Sequence, residues 1–341
     1  MEEIEVAVIG GGVVGLAIAS EFAKKRSVAV LEKNWGVGKE TSSRNSEVNH
    51  SGIYYPAGSK KSMFCLEGNR LTYEMCGRYG LPYNKTKKLI VAVEDGEIAE
   101  LDALFKNGRS IGVKGLEKLS GRDVEKIEPE IYCKEAILCS TTGILSVEKL
   151  VKLYESLALE RGVMIALDSE LVRVERERKY ILTTKNHNGE ESTFASEIVI
   201  NSAGLYADRV AEMFGIDTDK ENLKIKFAKG EYFKVRGAKG KIKHLIYPVP
   251  KTNFSGLGIH TTLDLGEEVK LGQNIFYVCH LDYDVDTDHS NQFYSNAKRY
   301  WRSLREEDLE PGFSGIRPKL QDEGEKFRDF YIEDESKRGL R

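Results

Sequence analysis

The sequence has few cysteines, no excess of charge of either sign and no long apolar run. Its five cysteines form no C-x-x-C pair and no metal-ligand spacing, which excludes a disulfide framework and predicts no metal site. Lys and Arg number 51 against 54 Asp and Glu, so we expect no nucleic-acid partner. No stretch reaches the length of a transmembrane helix, and the first strand begins too early for a signal peptide. We therefore expect a soluble cytoplasmic protein, with peripheral attachment to the inner membrane face as the alternative.

The N-terminal stretch is the strongest local signal. A short apolar run, Val6 to Ile9, leads directly into Gly10-Gly11-Gly12-Val13-Val14-Gly15, and a helical pattern follows to about Ala23. This is G-x-G-x-x-G between a buried strand and a helix, the context that a dinucleotide site requires. The first glycine permits the tight turn, the second the approach of a pyrophosphate, and the third close packing of helix on strand. The stretch predicts dinucleotide binding.

An acidic residue follows the second predicted strand. Ser27 to Leu31 is apolar enough for a buried strand and ends in Glu32. A carboxylate at this place accepts hydrogen bonds from the hydroxyls of an adenosine ribose and repels a 2′-phosphate, so NADP is disfavoured. NAD and FAD both use the motif. The long Gly/Ser/Thr-rich loop at 34–61 and a late return to the first unit favour FAD, because a buried flavin needs contacts from distant segments.

The order of the predicted elements indicates an α/β protein. A Rossmann-like nucleotide-binding domain of the glutathione-reductase type is interrupted by a mixed, largely antiparallel sheet that forms the substrate domain. We predict that the first domain comprises 1–80, 141–215 and a return at 311–341, and the second 81–140 and 216–310. The predicted strands include Ser255 to Thr262 and Phe327 to Ile332.

Motifs across the chain resemble those of one family. They are SSRNSEVNHSGIYYP at 42–56, CLEGNRLTYEMC at 65–76, KGEYF at 229–233, IYPVP at 246–250, GLGIHTTLDL at 256–265 and SGIRPKLQ at 314–321. Through these motifs taken together, the chain resembles the D-amino-acid-oxidase-like superfamily of FAD oxidoreductases. Within it, the L-2-hydroxyglutarate dehydrogenase/oxidase group is the best match, and glycerol-3-phosphate dehydrogenases are related. The resemblance covers roughly residues 4 to 338.

The resemblance implies which residues hold FAD. They belong to the first turn, the acid and its neighbour, the loop after the second strand, the adenine side, a second turn and the G-x-R-P strand. They are Gly10, Gly12, Val13, Val14, Gly15, Glu32, Lys33, Ser42, Ser43, Arg44, Asn45, Ser46, His50, Leu171, Val172, Ala203, Gly204, Gly315 and Arg317.

The resemblance also implies the chemistry, which is oxidation of a 2-hydroxy acid to the 2-oxo acid by hydride transfer from C2 to flavin N5. Arg317 corresponds to the arginine that grips the acidic group of the substrate, a task suited to a planar, permanently charged fork. A histidine with a pKa near neutrality is a suitable base. His50 and His260 are both candidates, and the sequence does not separate them. Tyr54 and Tyr247 are candidate pocket residues.

The chain departs from the family pattern in two places. Glu47 and Asn49 stand where the family usually has glycine and an apolar residue, and an added carboxylate near the flavin would alter the preference for substrate charge. In addition, the family pattern continues past the position of Arg341 with a strand, a glycine-containing turn and a final helix against the flavin.

Three hypotheses for function remain at this stage. The first is an FAD-dependent dehydrogenase or oxidase acting on the CH–OH group of a small acidic substrate, with L-2-hydroxyglutarate favoured. The second places glycerol 3-phosphate or an amino acid on the same scaffold. The third is a catalytically silent dinucleotide-binding protein. For the enzyme, oxygen, a membrane quinone and a soluble carrier are alternative electron acceptors.

Overall fold

The computed structural model describes residues 2–250 and 258–340. Seven α-helices lie in this part of the chain: α1 Val13–Phe22, α2 Lys60–Tyr79, α3 Ile98–Ser110, α4 Gly121–Ile127, α5 Val147–Glu160, α6 Ala207–Met213 and α7 Ser290–Ala297. The strands are β1 Glu2–Ile9, β2 Val28–Leu31, β3 Val48–Asn49, β4 Tyr83–Asn84, β5 Lys88–Ala92, β6 Leu116–Ser120, β7 Glu135–Cys139, β8 Gly143–Leu145, β9 Met164–Ala166, β10 Glu170–Arg176, β11 Tyr180–Lys185, β12 Glu191–Asn201, β13 Lys226–Val235, β14 Leu245–Pro248, β15 His260–Leu263, β16 Val269–Gly272, β17 Phe276–Val278 and β18 Leu309–Lys319.

The first sheet has six strands in the order β10-β11-β12-β1-β2-β9. Strands β12, β1, β2 and β9 are parallel, and β10 and β11 extend the sheet antiparallel at one edge. Helices α1 and α5 cover one face of this sheet. The apolar run of β1 is buried on both sides, as parallel strands require. The turn after β1 therefore lies at the carboxyl edge of the parallel strands, where ligands of such folds bind.

The second sheet contains nine strands, and its main path runs β17-β13-β16-β15-β14-β5-β7-β6. All pairings are antiparallel except β14 with β5, which is parallel. Its largest core cluster joins the sheet to α3, α4 and α7. A small third sheet, β3-β8-β4, lies between the loop after β2 and the start of α5. The α/β fold with a second mixed sheet agrees with the prediction from sequence.

The last long strand lies elsewhere than predicted. Residues 311–341 were expected to return to the first domain, but β18 pairs with β13 along its full length in the second sheet. The end of the segment reaches the first sheet, where Arg176 of β10 donates to the carbonyl of Gly339. Arg338 pairs with Glu221, which lies between α6 and β13. The G-x-R-P sequence is thus part of the second sheet. The remaining predicted domain boundaries stay predictions.

Two predicted strands also need comment. The strand predicted at Phe327 to Ile332 is wrong, because this stretch has no regular structure and its apolar side chains are exposed. Of the strand predicted at Ser255 to Thr262, the first residues lie outside the described part, and β15 begins at His260. In the described part of the chain, no helix has the length and apolarity needed to cross a membrane.

Candidate active site

The glycine turn after β1 presents the amino end of α1 to a cleft. The cap residue Gly12 has no side-chain capping bond, and no acidic residue occupies the first helical turn. The amide of Val13 donates to Ser42 Oγ at 3.0 Å, and Val14 is exposed beside it at the cleft wall. A helix end with no side-chain cap and no acid in its first turn attracts anions. The turn therefore has the properties that a phosphate needs.

Gly15 is required by close packing within this turn. A Cβ atom at this position would lie 2.0 Å from the carbonyl oxygen of Gly10, so the helix would have to move away from the strand. We expect Gly15→Ala to lower the free energy of unfolding by about 3 kcal/mol, measured by chemical denaturation. Gly68→Ala in the middle of α2 is the matched control. Nothing lies within 4 Å of its new Cβ, and there alanine should stabilise by about 1 kcal/mol. Equal effects of the two changes would contradict this account.

The acid at the end of β2 is buried and oriented by local bonds. Glu32 Oε2 accepts from the amide of Gly11 at 2.7 Å, and Oε1 accepts from the amide and side chain of Asn34 at 2.8 Å. Each carboxylate oxygen has two lone pairs, so Oε2 retains acceptor capacity. Next to it, Lys33 Nζ donates to Glu40 Oε1 at 2.7 Å and lies 4.1 Å from the ring centroid of Tyr206.

Irregular backbone occurs in β10 and at the end of β12, where the resemblance places the adenine side and the second turn of the FAD site. The pairing of β10 with β11 shifts register between Leu171 and Arg173, so Val172 is left out of the ladder with its side chain partly exposed. Such a bulge frees backbone groups for a ligand. At the end of β12, the Ser202 carbonyl and Ala203 pack against Gly10, and Gly204 has a φ of +55° and borders the cleft.

The loop after β2 lies directly on β18. A Cβ at Gly315 would be 2.4 Å from the carbonyl oxygen of Arg44, so the loop passes over this residue at backbone contact distance. Arg44 also lies 4.1 Å from the Tyr283 ring centroid. Arg44, Asn45 and Ser46 border the cleft. Ser43 is different, because it is exposed and its hydroxyl donates to carbonyls of its own turn.

One face of the second sheet carries two of the three predicted catalytic residues, His260 and Arg317. Side chains of directly paired residues share a face, and alternate residues along a strand do so as well. Through the pairs of β5 with β14, β14 with β15, β15 with β16, β16 with β13 and β13 with β18, this places five side chains in one row. In strand order they are Lys88, Tyr247, His260, Tyr232 and Arg317.

The two histidines have different positions. His50 approaches this face from the loop side, borders the cleft and meets the edge of the Tyr247 ring at 6.4 Å. His260 is buried behind it, stacked on Tyr247 at 3.9 Å, with Nδ1 2.8 Å from the carbonyl oxygen of Gly258. Burial, together with Lys88, lowers the pKa of each imidazole to about 3. Both rings are thus neutral near pH 7, and only His50 is in direct reach of the cleft.

Arg317 has the largest unmet hydrogen-bonding capacity at the cleft. Its Nε and Nη2 atoms are buried and lack a partner among the described residues, whereas buried polar groups are normally hydrogen-bonded. The guanidinium stays charged although burial lowers its pKa. Tyr55, Tyr232 and Tyr277 surround it, and none is an anion near neutral pH. An acidic ligand in the cleft would supply the missing acceptors.

The two tyrosines predicted for the pocket are placed differently. Tyr54 borders the cleft, while Tyr247 is fully buried in the layer behind His50. Neither hydroxyl has a hydrogen-bond partner among the described residues. Tyr247 therefore supports the two imidazoles rather than facing the cleft.

Sequence reasoning missed Lys88, which lies between these tyrosines. It is fully buried, with Nζ 4.6 Å from the ring centroid of Tyr54 and 5.0 Å from that of Tyr247. Nζ has no hydrogen-bond partner in the described chain, and burial lowers its pKa. The sequence signal that could have identified Lys88 is its position two residues before Ile90 in β5. This strand is fully buried, and a lysine is unexpected there.

The two departures from the family pattern have local explanations. Glu47 has a φ of +58°, a conformation that glycine adopts most easily. Its carboxylate accepts from the amide of Val147 at 3.0 Å, at the amino end of α5, and so is engaged within the protein. Asn49 and Asn69 each donate to the other's backbone carbonyl. The expected change in charge preference therefore has no support from the Glu47 geometry.

The cleft that joins these parts has a volume of about 2430 Å³. This exceeds the roughly 300–1,000 Å³ of a site for one small molecule, and the lining extends along α1 and β12 as well as past His50 and Arg317. It is bordered by the glycine-turn helix, the loop after β2, the end of β12, β18 and the segment after it. Among the described residues, no cluster of His, Cys, Asp or Glu has the arrangement of a metal site.

Comparison with known proteins identifies the family. A family model described as FAD dependent oxidoreductase matches residues 5–340. Mitochondrial L-2-hydroxyglutarate dehydrogenase of Arabidopsis thaliana is 34% identical over 379 residues, which cover 99% of this chain and 78% of that protein. The Mus musculus protein of the same name is 36% identical over 282 residues, covering 78% of this chain and only 59% of the relative.

A solved structure gives the same result for the fold. L-α-glycerophosphate oxidase from Mycoplasma pneumoniae, reduced with dithionite and with FAD bound, has a TM-score of 0.82 at 23% identity, covering 93% of this chain and 84% of that chain. The resemblance and fold class predicted from the sequence are both confirmed. The chain belongs to the family of FAD-dependent oxidoreductases.

Proposed function

We propose that this protein oxidises L-2-hydroxyglutarate to 2-oxoglutarate with FAD as its cofactor. The relatives at 34% and 36% identity are named for dehydrogenation of this substrate. One observation of the structure carries the proposal: two buried guanidinium nitrogens of Arg317, which have no hydrogen-bond partner among the described residues, lie at the same cleft as His50. A 2-hydroxy acid has the two groups that such a pair needs, a carboxylate for the arginine and a hydroxyl for the base.

The residues present fit the family cofactor FAD. The uncapped amino end of α1 and the glycine turn suit a pyrophosphate, and Glu32 Oε2 retains acceptor capacity for a ribose hydroxyl. The bulge at Val172 offers backbone groups on the adenine side, and Arg44 to Ser46 extend the site toward Gly315. We propose that the residues predicted above hold FAD in these ways. Ser43 contributes only through the turn that its hydroxyl stabilises.

Arg317 positions the substrate. Two N–H groups of its planar fork match a carboxylate bidentately, and the desolvation of the guanidinium is already part of the folded protein. The bound carboxylate fixes the adjacent C2 and its hydroxyl relative to the cleft wall that holds His50. Orientation of this kind contributes several kcal/mol to lowering the barrier.

His50 takes the hydroxyl proton. Its neutral imidazole accepts the proton while the C2–H bond breaks and the C2=O bond forms, leaving the 2-oxo acid and an imidazolium. FAD, when bound, supplies the acceptor for the hydride from C2, which carries two electrons and one proton. His260 and Tyr247, stacked behind, hold the position of the His50 ring. A positioned base typically contributes 10²–10⁴-fold.

The proposal is tested by anaerobic titration of the purified flavoprotein. L-2-hydroxyglutarate, its D enantiomer, glycerol 3-phosphate and a small L-amino acid are added to separate samples while the visible flavin band is recorded. We expect bleaching only by the L-hydroxy acid, with one 2-oxoglutarate formed per flavin. Bleaching by glycerol 3-phosphate or by the amino acid instead would transfer the proposal to that substrate. A protein that binds no flavin, or a flavin that none of the compounds bleaches, would contradict it.

The pH dependence gives a second test of the base. Burial, then Lys88 and His260, lower the pKa of His50 to about 3, so the free enzyme holds the proton-accepting form at every pH well above that value. We expect kcat/KM to be flat between about pH 5 and pH 7, because kcat/KM reports the free enzyme. The negative charge of bound substrate favours imidazolium, so the acid limb of kcat should lie at higher pH than that of kcat/KM. An acid limb of kcat/KM near pH 6.5 would contradict a buried base.

The electron acceptor and the cellular location remain part of this proposal. Oxygen, a quinone and a soluble carrier all stay as acceptors, and the cytoplasm, with peripheral membrane attachment as the alternative, stays the predicted location. Reoxidation of the substrate-reduced protein by air, by a soluble quinone analogue and by an artificial soluble dye ranks the acceptors by rate.

A further inference from the structure

We propose that Gln273 gives the cleft its specificity for a diacid, because its side-chain amide donates a hydrogen bond to the distal carboxylate of the substrate. This inference rests on the proposed function, in which Arg317 holds the carboxylate next to C2. Gln273 follows β16 directly and borders the cleft. It was not among the predicted site residues, since it lies outside the motifs that carry the family resemblance.

The amide of Gln273 has a fixed orientation. The hydroxyl of Tyr232 donates to Gln273 Oε1 at 3.1 Å. Burial raises the pKa of Tyr232 and outweighs the opposite effects of Arg317 and of a hydrogen bond with Ser46, so the hydroxyl keeps the proton that it donates. No described residue accepts a hydrogen bond from Gln273 Nε2. The side chain is half-buried at the cleft, so the two N–H groups of Nε2 are the part of the amide that is left for a ligand.

This amide lies over the sheet face that carries Arg317. Gly230 of β13 has no side chain, and a Cβ atom there would lie 2.7 Å from Gln273 Oε1. Gly230 pairs with Gly315, and Arg317 is two residues further along β18, so Gly230 and Arg317 are diagonal neighbours on one face. The Cβ positions of diagonal neighbours are about 7–8 Å apart. The amide and the guanidinium therefore project from adjacent places on the same wall of the cleft.

The length of the substrate fits this separation. The two carboxyl carbons of an extended five-carbon diacid are separated by four C–C bonds, or about 5 Å. A guanidinium that binds one carboxylate bidentately leaves the other end of such a molecule over the neighbouring place on the sheet. The N–H groups of Gln273 are the donors that the structure puts there.

The cleft also carries acidic side chains, so net charge alone does not explain a preference for a diacid. Glu100 on α3 has a buried oxygen without a hydrogen-bond partner in the described chain. The three glutamates that border the cleft after β18 have partners. They are Glu325, which accepts from the Asp322 amide at 2.8 Å, Glu333, which lies 3.3 Å from Lys60 Nζ, and Glu335, which accepts from the Tyr331 hydroxyl at 2.8 Å. These carboxylates are the same in wild type and in a Gln273 variant, so a comparison of variants isolates the hydrogen bond.

The test replaces the donor of this side chain by an acceptor. Gln273→Glu keeps the shape of the side chain and an oxygen that accepts from Tyr232, but turns Nε2 into a second carboxylate oxygen. With L-2-hydroxyglutarate we expect kcat/KM to fall about 100-fold or more, because a hydrogen bond to a charged group is lost and two carboxylates then repel each other. L-2-hydroxyglutaramate has an amide in place of the distal carboxylate and can donate to the new glutamate, so its loss should be less than about tenfold.

Two further variants complete this test. Gln292→Glu adds the same charge at an exposed position of α7 that does not border the cleft, and it should leave the ratio of the two kcat/KM values unchanged. Tyr232→Phe removes the hydroxyl that orients the amide and should lower the wild-type ratio by about threefold or more. Equal losses with both substrates in Gln273→Glu, or no loss with the diacid, would overturn the proposal.

Binding without turnover separates this inference from the proposed function. Calorimetry of the flavoprotein with glutarate and with its monoamide needs no oxidation. We expect Gln273→Glu to lower the affinity for glutarate relative to the monoamide by about tenfold or more. If the variant keeps the wild-type ratio, the inference fails whatever the substrate of the reaction. If the ratio changes as expected while no hydroxy acid bleaches the flavin, the proposed function fails and Gln273 still selects among acidic ligands.

Discussion

Arg317→Met is expected to lower kcat/KM for L-2-hydroxyglutarate about a thousandfold. Truncating one member of a buried, hydrogen-bonded charge pair costs about 2–5 kcal/mol or more, because the substrate carboxylate would then be buried without its guanidinium partner. Steady-state kinetics with the flavin content measured in each preparation gives this value. Arg317→Lys should recover only part of it, since an ammonium cannot bind a carboxylate bidentately.

Stability is expected to change in the opposite direction. In the free protein, Nε and Nη2 of Arg317 are buried without partners among the described residues, and such groups are costly to the fold. Methionine of similar length removes this cost, so the variant should have a Tm equal to or above that of wild type. A fall in both Tm and activity would contradict the account, because it would make Arg317 a structural residue.

His50→Asn is expected to lower kcat by 10²–10⁴-fold with little change in the affinity for substrate. Asparagine retains hydrogen bonding but cannot take up a proton, so the loss falls on the chemical step. His260→Asn is the comparison, since His260 is buried behind Tyr247 with its Nδ1 on the Gly258 carbonyl. That change should mainly lower Tm and reduce kcat by less than about tenfold. Rapid anaerobic mixing, which follows flavin reduction directly, measures both.

A larger loss of kcat in His260→Asn than in His50→Asn would show that the substrate meets the base on the His260 side. Equal loss in both variants, with normal substrate binding, would show that the stacked rings act as a unit. Either result would overturn His50 as the single proton acceptor. The distinction depends on the geometry of the sheet, since the sequence left the two histidines undecided.

The nucleotide half of the site was predictable because its signals are local. The strand, glycine turn and helix from Val6 to Phe22, and Glu32 at the end of β2, follow one another within about thirty residues. Each residue is constrained by its immediate neighbours, so the pattern appears in the sequence. Gly315 is different, because its missing side chain admits the backbone of Arg44 from a distant segment, and only the family resemblance of its motif pointed to it.

The substrate half depends on long-range pairing, which no local pattern contains. Lys88, Tyr247, His260 and Arg317 lie on one face only because their strands pair in a particular register across the second sheet. The sequence therefore drew no prediction for Lys88, and β18 was assigned to the other domain. The strand predicted at 327–332 failed for a related reason: its apolar residues have no partner strand in the described chain.

The central claim is that this cleft removes a hydride from C2 of an L-2-hydroxy acid, and one isotope measurement tests it most directly. Purified flavoprotein is mixed anaerobically with L-2-hydroxyglutarate carrying hydrogen or deuterium at C2, and the rate of flavin bleaching is followed in a single turnover. The account predicts that deuterium slows bleaching severalfold and that 2-oxoglutarate forms in equal amount to reduced flavin. The absence of bleaching with either substrate, or bleaching without formation of 2-oxoglutarate, would contradict it.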